Sequence, residues 1–109
     1  MTKTITIQEL IDAAEKNGYP WKGRATGFDS GYCLLEQAAL NLGIGPSWIP
    51  ISDSLNGLEY PMGSRIWEYN DDFATSYNDA LNNLKKALAD FPRDTVLELE
   101  VEGWIDDAL

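Results

Sequence analysis

The chain of 109 residues has no histidine, one cysteine, and eight basic residues against eighteen acidic ones. Without imidazole, the side chain that titrates near neutrality and serves most general acid–base steps is missing, and transition-metal sites lose their commonest ligand. The single Cys33 excludes an internal disulfide framework, which points to a reducing compartment. No segment approaches the roughly 20 apolar residues that cross a bilayer as a helix. The start, Met1-Thr2-Lys3-Thr4-Ile5-Thr6-Ile7, lacks the apolar run of a signal peptide. The expectation is a soluble, non-exported, cytoplasmic chain.

What is present is enough for one core. Hydrophobic residues make up 44% of the chain and aromatics 11%, sufficient for a single domain over residues 1–109, whereas two domains would each be too small. The formal net charge of −10 is unevenly spread. Residues 1–50 hold five acids and four bases, while residues 51–109 hold thirteen acids and four bases. A field of that sign repels phosphates and anionic lipid head groups, so neither nucleic acid nor a membrane surface is an expected direct partner. Its complement is a basic protein, although acidic surfaces also serve solubility.

Hydrophobic periodicity divides the chain into helices, loops and a strand. Thr6 and Glu9 have the spacing of a capping box, followed by Leu10, Ile11 and Ala14 at helical intervals, with Gly18 as the stop. Residues 18–31 contain Pro20, Gly23, Gly27 and Gly31 and read as an ordered loop anchored by Trp21 and Phe28. A second helix places Leu35, Ala38, Ala39 and Leu42 on one face and ends at Gly43. Residues 43–63, with Gly43, Gly45, Gly57 and Gly63 and with Pro46, Pro50 and Pro61, read as a long loop. Its Trp48, Ile49, Ile51 and Leu55 indicate a loop packed onto the body. A short helix or turn follows at 65–69. Ser76 and Asp79 then cap a helix through Tyr77, Ala80, Leu81, Leu84 and Leu88 that ends at Pro92.

The period changes to two near the C-terminus. In the stretch 95–102, Leu97, Leu99 and Val101 face one way and Glu98, Glu100 and Glu102 the other, the pattern of a half-buried strand. Its pairing partner is Lys3 to Ile7, part of the 49–60 segment, or the same strand of a second copy.

Leu10, Ala13-Ala14, Trp21, Tyr32-Cys33-Leu34 with Ala38-Ala39 and Gly43, Ile66-Trp67-Glu68-Tyr69-Asn70-Asp71, and Ser76, Asp79, Leu81, Leu84 and Ala87 recur together elsewhere. Over roughly residues 7–88 the chain resembles a family of small phage and bacterial proteins grouped as a domain of unknown function. This chain differs in its larger Glu36 and its acidic terminal strand. The resemblance implies a small, mostly helical fold and a phage-like origin, and no reaction.

Chemical motifs are sparse. The segment Asp29-Ser30-Gly31-Tyr32-Cys33-Leu34 is similar to the start of the catalytic helix in some deubiquitinase-like cysteine proteases, but no histidine is available as its base. Cys33 is therefore read as a small core residue. The acids Asp71-Asp72, Asp106-Asp107, Asp29 and Asp53 match no calcium-loop pattern, and the glycines of 43–48 lack the third glycine of a dinucleotide fingerprint. No catalytic, metal-binding or cofactor-binding residue is assigned. Of the tryptophans, Trp67 is expected to be buried and Trp48 partly exposed.

The resulting expectation is an α+β fold: a small, mostly helical domain with three main helices and one or two short strands, including the acidic C-terminal one. Glutamates two apart on a strand lie about 6.7 Å apart, close to the roughly 6.8 Å advance of two nucleotides along one strand of a duplex. Glu98, Glu100, Glu102, Asp106 and Asp107 thus form a candidate charged rim, with Trp104 as an apolar anchor, for a basic, nucleic-acid-binding effector of the host cell. The expected role is a phage or mobile-element inhibitor of an anti-CRISPR or anti-restriction type. The alternative is an assembly domain, a homodimer joined by the apolar face of the terminal strand.

Overall fold

A computed structural model describes residues 2–16, 34–45, 47–68 and 76–101. The order of elements is β1 (Thr2–Thr6), α1 (Ile7–Glu15), α2 (Leu34–Leu42), α3 (Ile49–Leu58), α4 (Met62–Glu68), α5 (Tyr77–Ala87) and β2 (Val96–Glu100). The fold is α+β, as the patterning indicates, and among the described residues it has one antiparallel two-stranded sheet.

The strand partner is the N-terminal segment. β1 and β2 pair from Thr2 opposite Glu100 to Thr6 opposite Val96, and the ladder runs on through the Ile7 N–H, which donates to the Thr95 carbonyl at 3.0 Å. Alternation then sorts the side chains. Ile5, Leu97, Leu99 and Val101 are buried, while Thr2, Thr4, Val96, Glu98 and Glu100 are exposed. Each buried leucine contributes about 1.5–3 kcal/mol relative to exposure. The apolar face of β2 is thereby consumed inside its own chain, so it is not available to join two copies.

Local signals fix the helix ends. At Thr6 the side chain accepts from the Glu9 N–H at 3.1 Å, and the Glu9 carboxylate accepts from the Thr6 N–H at 3.0 Å, closing the capping box. The same device, with one side chain, opens α5, where Ser76 Oγ accepts from the Asp79 N–H. α2 stops at Gly43, whose φ of 78° is open to glycine and strained for other residues. Gly43 and Ile44 donate to the carbonyls of Leu40 and Ala39, the paired bonds of a Schellman ending. Lys3 extends from β1 to give its ammonium to the Leu42 carbonyl at 2.8 Å, satisfying another terminal acceptor.

Three expectations are corrected. The stretch 43–63 is mostly helix, because Pro50 occupies the first turn of α3, where its missing N–H has no intrahelical partner to lose. Gly57 stands one residue before the end of that helix, and α4 begins at Met62, three residues ahead of the expected Arg65. The last helix ends at Ala87, well before Pro92, because Ala89 and Phe91 donate to Lys86 and Leu88 in tight turns that reverse the chain.

Helix α1 packs against α2 and α5, whereas α3 packs against α4 and β2. The carbonyls at the C-terminal end of α1 are met from both neighbours. Asn41 Nδ2 donates to the Ala13 carbonyl at 2.8 Å, and the Tyr77 hydroxyl donates to that of Ala14. Close approach of α3 and α4 depends on Gly63, where a Cβ would lie 2.2 Å from the Ser52 carbonyl oxygen. The Gly63 N–H is held by Asn56 Oδ1 at 2.7 Å.

Candidate protein-binding groove

Helix α3 buries Ile51, Ser52 and Leu55 and turns the opposite stripe outward. Pro50, Asp53, Ser54, Gly57 and Leu58 follow the three- and four-residue spacing that keeps side chains on one helix face. With Val96, Glu98 and Glu100 of β2 they line a groove of about 390 Å³. A second hollow of about 210 Å³ continues it past Glu100, sharing Pro50 and Asp53 and reaching Ile44, Ser47, Ile49 and Val101. The groove is open because the middle of its helical wall is small: Ser54 and Gly57 leave room that longer side chains would fill.

Among the described residues three carboxylates, Asp53, Glu98 and Glu100, line these hollows and no basic side chain does. Glu100 accepts a hydrogen bond from Thr2 Oγ1 at 2.7 Å, which directs the carboxylate without neutralising it. Among the described residues the ion pairs lie elsewhere, between Arg65 and Glu59 and between Lys85 and Glu15. Apolar surface accompanies the charge. Ile49 is 51% exposed and Val96 57% exposed, two of the three large hydrophobic side chains open to solvent among the described residues, and both line this surface.

The backbone of β2 adds a further feature. Because Ile7 and Thr95 form a hydrogen-bonded pair, the alternation of an antiparallel ladder makes Thr6–Val96, Thr4–Glu98 and Thr2–Glu100 the non-hydrogen-bonded pairs. The N–H and C=O groups of Val96, Glu98 and Glu100 therefore point away from β1. They face the other edge of the sheet, which no strand pairs with among the described residues, and these are the three β2 residues lining the main groove.

Of the residues that the sequence singles out as a charged rim, Glu98 and Glu100 are exposed and adjacent on the outward face of β2. Glu102, Trp104, Asp106 and Asp107 lie outside the described residues, as do Cys33, Asp29, Asp71 and Asp72. Trp48 is half-buried and packs against the core, and the side chain of Trp67 lies outside the described part. Sequence reading passes over Asp53 as a partner for the glutamates. The stripe at 50, 53, 54, 57 and 58 places Asp53 on one helix face, and only the packing of α3 on β2 brings that face to the glutamates. Among the described residues no three His, Cys, Asp or Glu side chains gather as metal ligands, and no helix is long and apolar enough to cross a membrane.

A separate hollow of about 490 Å³ between α4 and α5 is lined by Glu59, Met62, Arg65, Ile66, Asn83, Lys86, Ala87 and Asp90. Among the described residues its two cations are balanced by two anions. Comparison with models of protein families, with curated proteins and with solved structures gave no match.

Proposed function

We propose that this chain is a protein-binding module that occupies a basic surface of a nucleic-acid-handling protein. In this reading it acts as a phage or mobile-element inhibitor of a host defence effector, by competing with the effector's DNA or RNA. One observation carries the reading: Asp53, Glu98 and Glu100 line one groove with no countercharge among the described residues, between the exposed aliphatic side chains of Ile49 and Val96. Charge draws in a basic partner, and the apolar side chains give it something to bury. Direct pairing of two copies through the β2 edges would set Glu98 and Glu100 against glutamates of the other copy, and like charges directly opposite are destabilising.

The test is capture of partners from bacterial lysate by the tagged chain at low and high salt, beside a Glu98→Lys/Glu100→Lys variant and a Gly57→Leu variant. A nucleic-acid-binding protein retained at low salt, released at high salt and lost with both variants supports the reading. Retention indifferent to salt and to charge reversal overturns it. Self-association with no other partner also overturns it, in favour of an assembly domain.

A further inference from the structure

We infer that the α3–β2 groove takes a single extended segment of the partner, with basic and aliphatic residues alternating, and that this segment adds to the free edge of β2 as a third, antiparallel strand. The inference rests on reading the groove as the site for a basic partner, and it specifies how that partner is held.

Three observations lead to it. First, the ladder register leaves the backbone donors and acceptors of Val96, Glu98 and Glu100 pointing to the groove side, and among the described residues none of them has a hydrogen-bond partner. An added strand satisfies them, the usual source of affinity in strand addition. Second, the groove has a strand for one wall and a helix for the other. Such a cleft admits one chain segment, whereas a flat protein surface would rest on its rims. Third, the chemistry alternates as a strand requires. Residues of an added strand directly opposite Glu98 and Glu100 place their side chains on the same outward face as the two carboxylates. Those positions suit lysine or arginine. The residues between them point to the opposite face of the added strand, the face on which β2 carries Leu97 and Leu99, and suit valine or isoleucine.

The pairing pattern makes this testable at the level of single amide groups. Opposite Glu98 and Glu100 the new ladder consists of hydrogen-bonded pairs, so the basic residues supply the N–H groups that reach β2, while the N–H groups of the aliphatic residues face outward. The probe is a fluorescently labelled Val-Lys-Val-Lys-Val-Lys-Val peptide, compared with the same peptide N-methylated at its lysines, the same peptide N-methylated at its valines, and a peptide of equal composition with contiguous lysines. Binding is read by anisotropy, and protection of the protein's amides by hydrogen exchange.

The expected result is that the alternating peptide binds, that methylation at lysine weakens it roughly tenfold or more through loss of main-chain bonds, and that methylation at valine leaves it nearly unchanged. The amides of Val96, Glu98 and Glu100 should exchange at least about tenfold more slowly in the complex. Equal binding of all four peptides, lost in Glu98→Lys/Glu100→Lys but without protection of those amides, overturns strand addition while leaving an acidic binding surface intact. No binding of any peptide at low salt, or binding unaffected by the charge reversal, overturns the groove as a site for basic partners and the inference with it.

Discussion

The hydroxyl of Tyr77, on α5, donates to the backbone carbonyl of Ala14 near the end of α1, across 63 residues of sequence. The ring is 8% exposed and Ala14 is fully buried, so the bond closes a helix-terminal acceptor that water does not reach. Tyr77→Phe keeps the ring and removes the donor. It should cost about 1–3 kcal/mol, read as a lower urea midpoint with an unchanged slope.

The glycines of the α3–α4 hairpin should respond in opposite directions. At Gly63 an added methyl meets the Ser52 carbonyl oxygen at 2.2 Å and Ser52 Oγ at 2.5 Å, so Gly63→Ala must push α3 and α4 apart. A loss of about 2 kcal/mol or more is expected, as for an overpacked core. At Gly57 nothing lies within 4 Å of a new Cβ and the backbone is helical, so Gly57→Ala should stabilise by about 0.4–1 kcal/mol. Thermal unfolding of the two variants beside the parent chain checks both signs.

Removing the hydroxyl of Thr6 opens the capping box of α1, and Thr6→Ala should cost about 1 kcal/mol. Glu9→Ala removes the reciprocal bond to the Thr6 N–H and should also destabilise the helix start. Chemical denaturation of the two single variants and the double variant should show that the effects do not add, because each side chain holds the other's backbone.

Much of this architecture is legible in the sequence because its signals are local. The Thr6–Glu9 and Ser76–Asp79 spacings, the Gly43 stop and the alternation of Leu97, Leu99 and Val101 each involve neighbours within a few residues. Helix α3 is hidden by Pro50 and Gly57, residues that break helices in general and are harmless at the positions they take here. The partner of β2 is also ambiguous in the sequence, because Lys3 to Ile7 overlaps the start of a capped helix. The groove is illegible for a different reason: Asp53 and Glu98 are distant in the chain, and only the packing of α3 on β2 brings them to one surface. The buried Gln37, on an otherwise apolar face of α2, has no periodic signal at all.

Reversing the charges of β2 should leave the fold intact. Glu98 and Glu100 are exposed and make no ion pair with described residues, so Glu98→Lys/Glu100→Lys should change stability by no more than about 0.5 kcal/mol per site. The same double variant should abolish salt-sensitive binding. Equilibrium unfolding run beside the binding assay separates a lost surface from a lost fold.

The most direct test of the groove is an amide chemical-shift titration of the isotopically labelled chain with the Val-Lys-Val-Lys-Val-Lys-Val peptide at low salt. The account requires saturable changes concentrated at Asp53, Ser54, Gly57, Leu58, Val96, Glu98 and Glu100, and their absence in Gly57→Leu. Changes centred on the α4–α5 hollow around Arg65 and Lys86, or no saturable change anywhere, would contradict it.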